Sequence, residues 1–279
     1  RYRDILAELG YRERVGFLTG AVFISQTGNL VFPARAGDAV RAYVVKARRS
    51  IPYPSGFASL AVERVFDLLT ITAMAGAVLV GYALLDPASL SALATGITGA
   101  PESGRVAVYV AAGVGGAAIG VTALIVASAR SERNYVRAVV GRLSTDSYAD
   151  YVAGVVEQFT GDVQRVASTP AAFTRVGATS LVIWTLDVVT AVLVFAAFDV
   201  SLAPGALLAV GFFAVSVGNL AKVLPLSPGG IGLYEGAFSL LVVALVPVGF
   251  ETALGAAIVD HAVKNLVTVA GGLASMAWL

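Results

Sequence analysis

Long apolar stretches alternate with short charged ones along this chain, and most of the apolar stretches have the length needed to cross a bilayer. Residues 56–85, 106–129, 176–198 and 252–278 each read as a spanning helix. Two further apolar stretches, about 15–45 and 204–246, are interrupted in the middle. The first interruption falls at Asn29, Pro33 and Gly37, and the second at Pro225, Pro228, Gly229, Gly230 and Gly232. Proline removes a backbone donor and glycine tolerates dihedrals that other residues avoid, so both segments are expected to break and turn back. The Ala/Val/Leu/Gly runs do not alternate, which excludes a transmembrane barrel. The pattern predicts an all-α, polytopic membrane helical bundle over 1–279, with two re-entrant hairpins.

Residues 130–175 are polar. Within them Tyr148, Tyr151, Val152, Val155, Val156, Phe159, Val163 and Val166 recur at helical spacing, with Asp150, Glu157, Asp162 and Arg165 off that stripe. This predicts an amphipathic connection, either lying on the membrane surface or forming an ordinary helical loop domain.

Composition sharpens the class. Of the 279 residues 57% are hydrophobic and 13% charged, about half the charged share usual in soluble domains, roughly 25%. With no cysteine and a single histidine, disulfides, thiol chemistry, Cys-ligated metals and multi-histidine metal sites are excluded. No cofactor is implied, and nothing in the charge pattern points to nucleic acid.

Charge distribution orients the chain. Thirteen of the 19 Lys and Arg fall in residues 1–14, 46–49 and 130–175, whereas the loops at 86–105, 199–203 and 247–251 carry one, Arg105. The positive-inside rule therefore places 1–14, 46–55 and 130–175 in the cytoplasm and the other loops outside. On that assignment 15–45 enters from inside and returns, and 204–246 enters from outside and returns. Gly28-Asn29-Leu30 matches Gly218-Asn219-Leu220 ahead of each break, and Glu63-Arg64-x-x-Asp67 has the charged spacing of Asp260-His261-x-x-Lys264. The expectation is an inverted repeat, roughly 1–85 and 176–279, with a midplane site of transporter type. The second copy opens with the 176–198 helix, so a matching helix is expected ahead of residue 1.

Charges in membrane segments cost at least about 2.5–3.5 kcal/mol near a helix centre, so they must face one another or a wet cavity. The candidate substrate-binding residues are Asn29, Arg35, Asp38, Arg41, Glu63, Arg64, Asp67, Asn219, Lys222, Ser227, Glu235, Asp260, His261 and Lys264. Arg35, Arg41, Arg64, Lys222 and Lys264 offer a phosphate site, since guanidinium forks bind phosphate oxygens bidentately. Glu63 and Asp67 lie one turn apart and can share a partner, as can Asp260 and Lys264. His261 beside Asp260 is either a proton relay or a packing residue. The run Ser227–Gly232 lacks the Lys-Ser/Thr ending of a nucleotide loop.

The motifs Asn29-x3-Pro33-x-Arg35-x-Gly37-Asp38-x2-Arg41, Glu63-Arg64-x-x-Asp67 and Pro225-x-Ser227-Pro228-Gly229-Gly230-Ile231-Gly232-x2-Glu235 resemble the lysylphosphatidylglycerol synthase transmembrane-region family, also called the flippase-like domain family. The membrane half of the bacterial multiple peptide resistance factor belongs to it, as do archaeal proteins placed in dolichol-phosphate-linked glycosylation. The resemblance covers essentially the whole chain. It implies a polytopic cell-membrane bundle that moves or accommodates lipids. These 279 residues contain no aminoacyl-transfer domain, so synthase activity is not carried over.

The leading expectation is a lipid translocase, transporter-like more than enzymatic, handling a phospholipid or a polyprenyl-phosphate-linked head group. A membrane-embedded lipid-phosphate transferase, or a scaffold for a soluble glycosyltransferase or aminoacyltransferase, is the alternative. The expected partners are a membrane lipid, one of those transferases and a second copy of the chain.

Overall fold

The computed structural model describes residues 1–32, 35–85, 165, 168–222 and 227–279, and its described residues form helices and no strand. Among the described residues eight α-helices follow in order: α1 (Tyr2–Glu8), α2 (Val15–Val31), α3 (Ala36–Arg49), α4 (Tyr53–Leu85), α5 (Pro170–Ala197), α6 (Pro204–Ala221), α7 (Leu233–Leu245) and α8 (Phe250–Trp278), with a short 3₁₀ turn at Pro228–Gly230. The span expected at 106–129 lies outside the described residues, as does nearly all of the amphipathic connection at 130–175. Helix α5 begins at Pro170, earlier than the expected 176. Pro170 occupies the first helical turn and Thr169 ahead of it is extended, an arrangement proline favours because its missing N–H has no helical partner there anyway.

Both interrupted segments are pairs of helices packed on each other, α2 on α3 and α6 on α7. At the first break Arg35 sits in the left-handed region, with φ 57° and ψ 35°. At the second, Gly229, Gly230 and Gly232 all have positive φ, a conformation that costs other residues about 1–2 kcal/mol. Gly37 does not belong to the break as the sequence suggested. It lies inside α3, where a Cβ would overlap the Ser25 carbonyl oxygen of α2. Gly28 faces it, so the two glycines let the backbones touch. Gly218 of α6 is packed in the same way against the Tyr234 ring of α7.

Helix α2 also packs along α8, where Gly271 and Gly272 seat Phe23 and Thr27. Thr27 Oγ1 donates to the Thr268 carbonyl at 3.1 Å. A core of Phe195, Val215, Tyr234, Phe238 and Ala256 joins α5 to α8, and a second of Leu6, Phe17, Leu18 and Val45 joins α1, α2 and α3.

The outside of the bundle is apolar. Leu181, Leu186 and Leu193 of α5 and Leu266, Val267 and Leu273 of α8 are exposed, while Arg41, Glu63, Asp260 and His261 are buried. That distribution inverts the soluble pattern and fits a hydrocarbon solvent. Among the described residues four helical stretches, Pro170–Ala197, Pro204–Ala221, Pro228–Leu245 and Phe250–Trp278, are long and apolar enough to cross a membrane. The chain is a multi-pass membrane protein.

Candidate functional site

Two clusters of buried charge form where the helix pairs meet their neighbours. The first joins α1, α3, α4 and the end of α2. Arg41 of α3 donates from Nη1 to Glu63 Oε2 of α4 at 2.7 Å, and both side chains are almost fully buried. Arg1 reaches both α4 carboxylates, with Nη1 2.6 Å from Asp67 Oδ1 and Nε 3.5 Å from Glu63 Oε1. The shared partner expected for Glu63 and Asp67 is thus Arg1, which the sequence did not single out. Burial opposes the Arg1 charge, but Glu63 and Asp67 beside it hold its pKa above the ordinary arginine value. Asp67 is further held by Trp184 Nε1 at 3.2 Å and by Arg64 Nη1 at 3.1 Å.

Asp38, in the first turn of α3, gathers polar groups from both sides of the break. Its Oδ1 accepts from Asn29 Nδ2 at 3.2 Å and from Ser25 Oγ at 3.4 Å. Arg35 Nε lies 3.5 Å from its Oδ2, and Arg41 and Arg64 approach it at 3.8 and 4.0 Å. Three carboxylates (Asp38, Glu63, Asp67) meet four guanidiniums (Arg1, Arg35, Arg41, Arg64), which leaves one positive charge in excess. Arg41 is sealed, with 1% of its side chain exposed, whereas Arg35 and Arg64 are 32% and 38% exposed. Arg35 and Arg64 are therefore the most accessible guanidiniums of the cluster.

The second cluster joins α5, α6, α7 and α8. Lys264 Nζ bridges Asp187 Oδ1 at 2.7 Å and Asp260 Oδ2 at 2.8 Å. Tyr234 Oη donates to the same Asp260 oxygen at 2.6 Å, and Asn219 Nδ2 donates to Asp187 Oδ2 at 2.9 Å. His261 Nδ1 lies 2.6 Å from Glu235 Oε1, while Glu235 Oε2 accepts from the Gly232 backbone N–H at 2.7 Å. Glu235 thus caps α7 and ties the hairpin turn to α8. Lys222 Nζ lies over the Tyr234 ring, 4.7 Å from its centroid.

The predicted residues are distributed as two sets. Asn29, Arg35, Asp38, Arg41, Glu63, Arg64 and Asp67 are brought together in the first cluster, and Asn219, Lys222, Glu235, Asp260, His261 and Lys264 in the second. Ser227 is at the second hairpin turn, and its Oγ has no hydrogen-bond partner among the described residues. Sequence reasoning missed Tyr234 and Trp184 and left Asp187 out of the site. A lone acid in an apolar span was the available signal for Asp187. Arg1 and Trp184 carried none, because each is linked to α4 only by folding.

The clusters adjoin through their breaks. The turn at Pro228–Gly230 packs on α2, and a Cβ on Gly229 would meet Leu30, the residue after Asn29. A cavity of about 410 Å³ lies apart from both clusters, lined by Arg14, Phe17, Arg48, Arg49 and Trp278 among others.

A family model described as the lysylphosphatidylglycerol synthase TM region matches residues 1–272. The chain is 65% identical over 284 aligned positions to a protein of Haloferax volcanii named glycosyltransferase AglD. That alignment takes in 99% of the chain and 45% of the relative, so the chain spans less than half of that relative's length. No solved structure matches the chain.

Proposed function

Because the chain belongs to the lysylphosphatidylglycerol synthase transmembrane-region family, we propose that it accommodates the anionic head group of a membrane lipid and carries it across the bilayer. The observation that supports this most directly is the excess of guanidinium over carboxylate around the α2–α3 break. A lipid phosphate supplies the missing negative charge, and the partly exposed forks of Arg35 and Arg64 suit its oxygens. The lipid is a phospholipid or a polyprenyl phosphate carrying a sugar, with its tails left in the hydrocarbon.

The two helix pairs act as an inverted repeat in this reading. Support comes from their matching construction: a glycine at the crossing (Gly28, Gly218), an asparagine beside it that donates to an aspartate of a neighbouring helix (Asn29 to Asp38 of α3, Asn219 to Asp187 of α5), and a polar triplet on the following long helix. Re-entrant placement of both pairs puts their breaks at membrane depth, where non-helical backbone is tolerated only against protein or a wet cavity.

The relative named as a glycosyltransferase favours a second reading, in which this membrane part presents a lipid-phosphate acceptor for sugar transfer. Proteoliposomes with fluorescent phospholipids and short polyprenyl-phosphate analogues separate the two. Protein-dependent translocation, lost in the folded Arg35→Ala, Arg64→Ala double variant, supports carriage. Saturable binding of the same lipids without translocation supports presentation, and neither binding nor translocation overturns both.

A further inference from the structure

We propose that the second cluster is a proton-binding site, centred on His261 and Glu235, whose loading is coupled to movement of the lipid head group at the first. This inference rests on the proposed function for its coupling half alone.

The charge balance of the two clusters differs in sign. In the second, Asp187, Glu235 and Asp260 face Lys222 and Lys264, leaving one negative charge while His261 is neutral and none once it is protonated. The first cluster has a positive excess suited to an anion. The second has a deficit that one proton fills.

The geometry names the atom. His261 is 2% exposed, its Nδ1 is engaged with Glu235 Oε1, and its ring stacks 4.5 Å from Tyr234. Its Nε2 is buried with no hydrogen-bond partner among the described residues. With the proton of the pair on Nδ1, Nε2 is a bare lone pair across the ring from the Glu235 carboxylate. A proton added there makes an imidazolium whose Nδ1–H bond to Glu235 becomes charge-assisted and shorter. No other bond forms or breaks. The groups facing the pair are Tyr234 from α7, Lys222 from the end of α6, and Asp260 and Lys264 on α8, with Asp187 of α5 held through Lys264. The two groups titrate as a unit.

A contiguous route links this site to the first cluster. Glu235 holds Gly232 at the hairpin turn, the turn packs on Leu30, and Asn29 beside it holds Asp38. Tightening the His261–Glu235 pair pulls on the turn that rests against the α2–α3 break.

His261 is the single histidine of the chain, so a sample with ¹⁵N-labelled histidine in lipid nanodiscs reports on one residue. The expected result is one titration, displaced downward in Glu235→Gln, which loses the carboxylate that favours the imidazolium. Ring signals that do not move with pH while the protein stays folded, or that move identically in Glu235→Gln, overturn the proton site. In proteoliposomes, a proton gradient is expected to accelerate lipid translocation in the parent protein and to leave His261→Gln and Glu235→Gln with equal rates in both conditions. Translocation indifferent to the gradient in the parent protein overturns the coupling and leaves lipid carriage standing. A normal titration with no translocation of any lipid supports the proton site and overturns the carriage reading.

Discussion

Arg41 donates to Glu63 at 2.7 Å between α3 and α4, and the pair is closed off from everything but its own cluster. Removing one member leaves the other in a low-dielectric interior with only a more distant partner, Arg1 at 3.5 Å from Glu63 or Asp38 at 3.8 Å from Arg41, which costs up to about 3–5 kcal/mol, whereas replacing both by apolar residues of similar volume is often neutral. Arg41→Met and Glu63→Leu singly are each expected to destabilise by that amount, and the double variant to recover most of it. Unfolding in mixed micelles with increasing dodecyl sulfate gives the three values. An additive double variant would mean that the pair is not coupled.

Lys264 neutralises two acids on different helices, Asp187 of α5 and Asp260 of α8. Lys264→Met leaves both uncompensated and is expected to lose about 3–5 kcal/mol by the same argument. Asn219→Ala removes a single hydrogen bond to Asp187 and is expected to cost about 1 kcal/mol. The ordering of the two in the same unfolding assay is the test.

Gly37 packs on the Ser25 and Asn29 backbone of α2, with no room for a Cβ. Gly37→Ala must push the two helices apart, at a cost of about 1–3 kcal/mol. Gly236, in α7, would place a Cβ in open space, and Gly236→Ala is expected to be neutral or to stabilise by about 0.4–1 kcal/mol. Equal effects of the two would contradict the close crossing of α2 and α3.

Arg35 and Arg64 are about one-third exposed, and Asp67 keeps Arg1 and Trp184 when Arg64 is lost. Arg64→Gln is therefore expected to change stability by less than about 1 kcal/mol. Loss of a hydrogen bond to a charged phosphate is worth about 1.5–3 kcal/mol, so its affinity for a phosphate-bearing lipid is expected to fall about ten-fold or more. Binding measured in nanodiscs beside a thermal melt reads both numbers from one preparation.

The chain contains no cysteine, so single cysteines report topology without background. Ser50 and Ser201 are both exposed. Ser50→Cys is expected to react with an impermeant maleimide from the cytoplasmic side only, and Ser201→Cys from the opposite side only. Labelling of both from one side would refute the three crossings expected between them, at 56–85, 106–129 and 176–198.

Much of this arrangement was legible beforehand. Apolar run lengths located α4, α5, α6, α7 and α8, because hydrocarbon thickness and the need to satisfy every backbone group allow few alternatives. Asp260 and Lys264 were read as a pair, and they are one, because helical spacing is local geometry. The start of α5 was read six residues late, because residues 170–175 continue the polar stretch while Pro170 already opens the helix. Gly37 was misassigned because glycine serves both turns and close crossings, and its neighbours in sequence do not say which.

By itself the sequence determined that the chain is helical, that it lies in a membrane, and that its charges must be satisfied within the bundle, since each of these follows from composition and local period. Only the tertiary structure decided how those charges divide. Arg1 meets Glu63 and Asp67, Trp184 of α5 meets Asp67, and Asp187 meets Lys264, across separations that helical periodicity cannot bridge. The pairing of distant helices is set by how their small residues and side-chain ridges interlock in three dimensions. The positive excess in one cluster and the negative excess in the other emerge only from that interlocking.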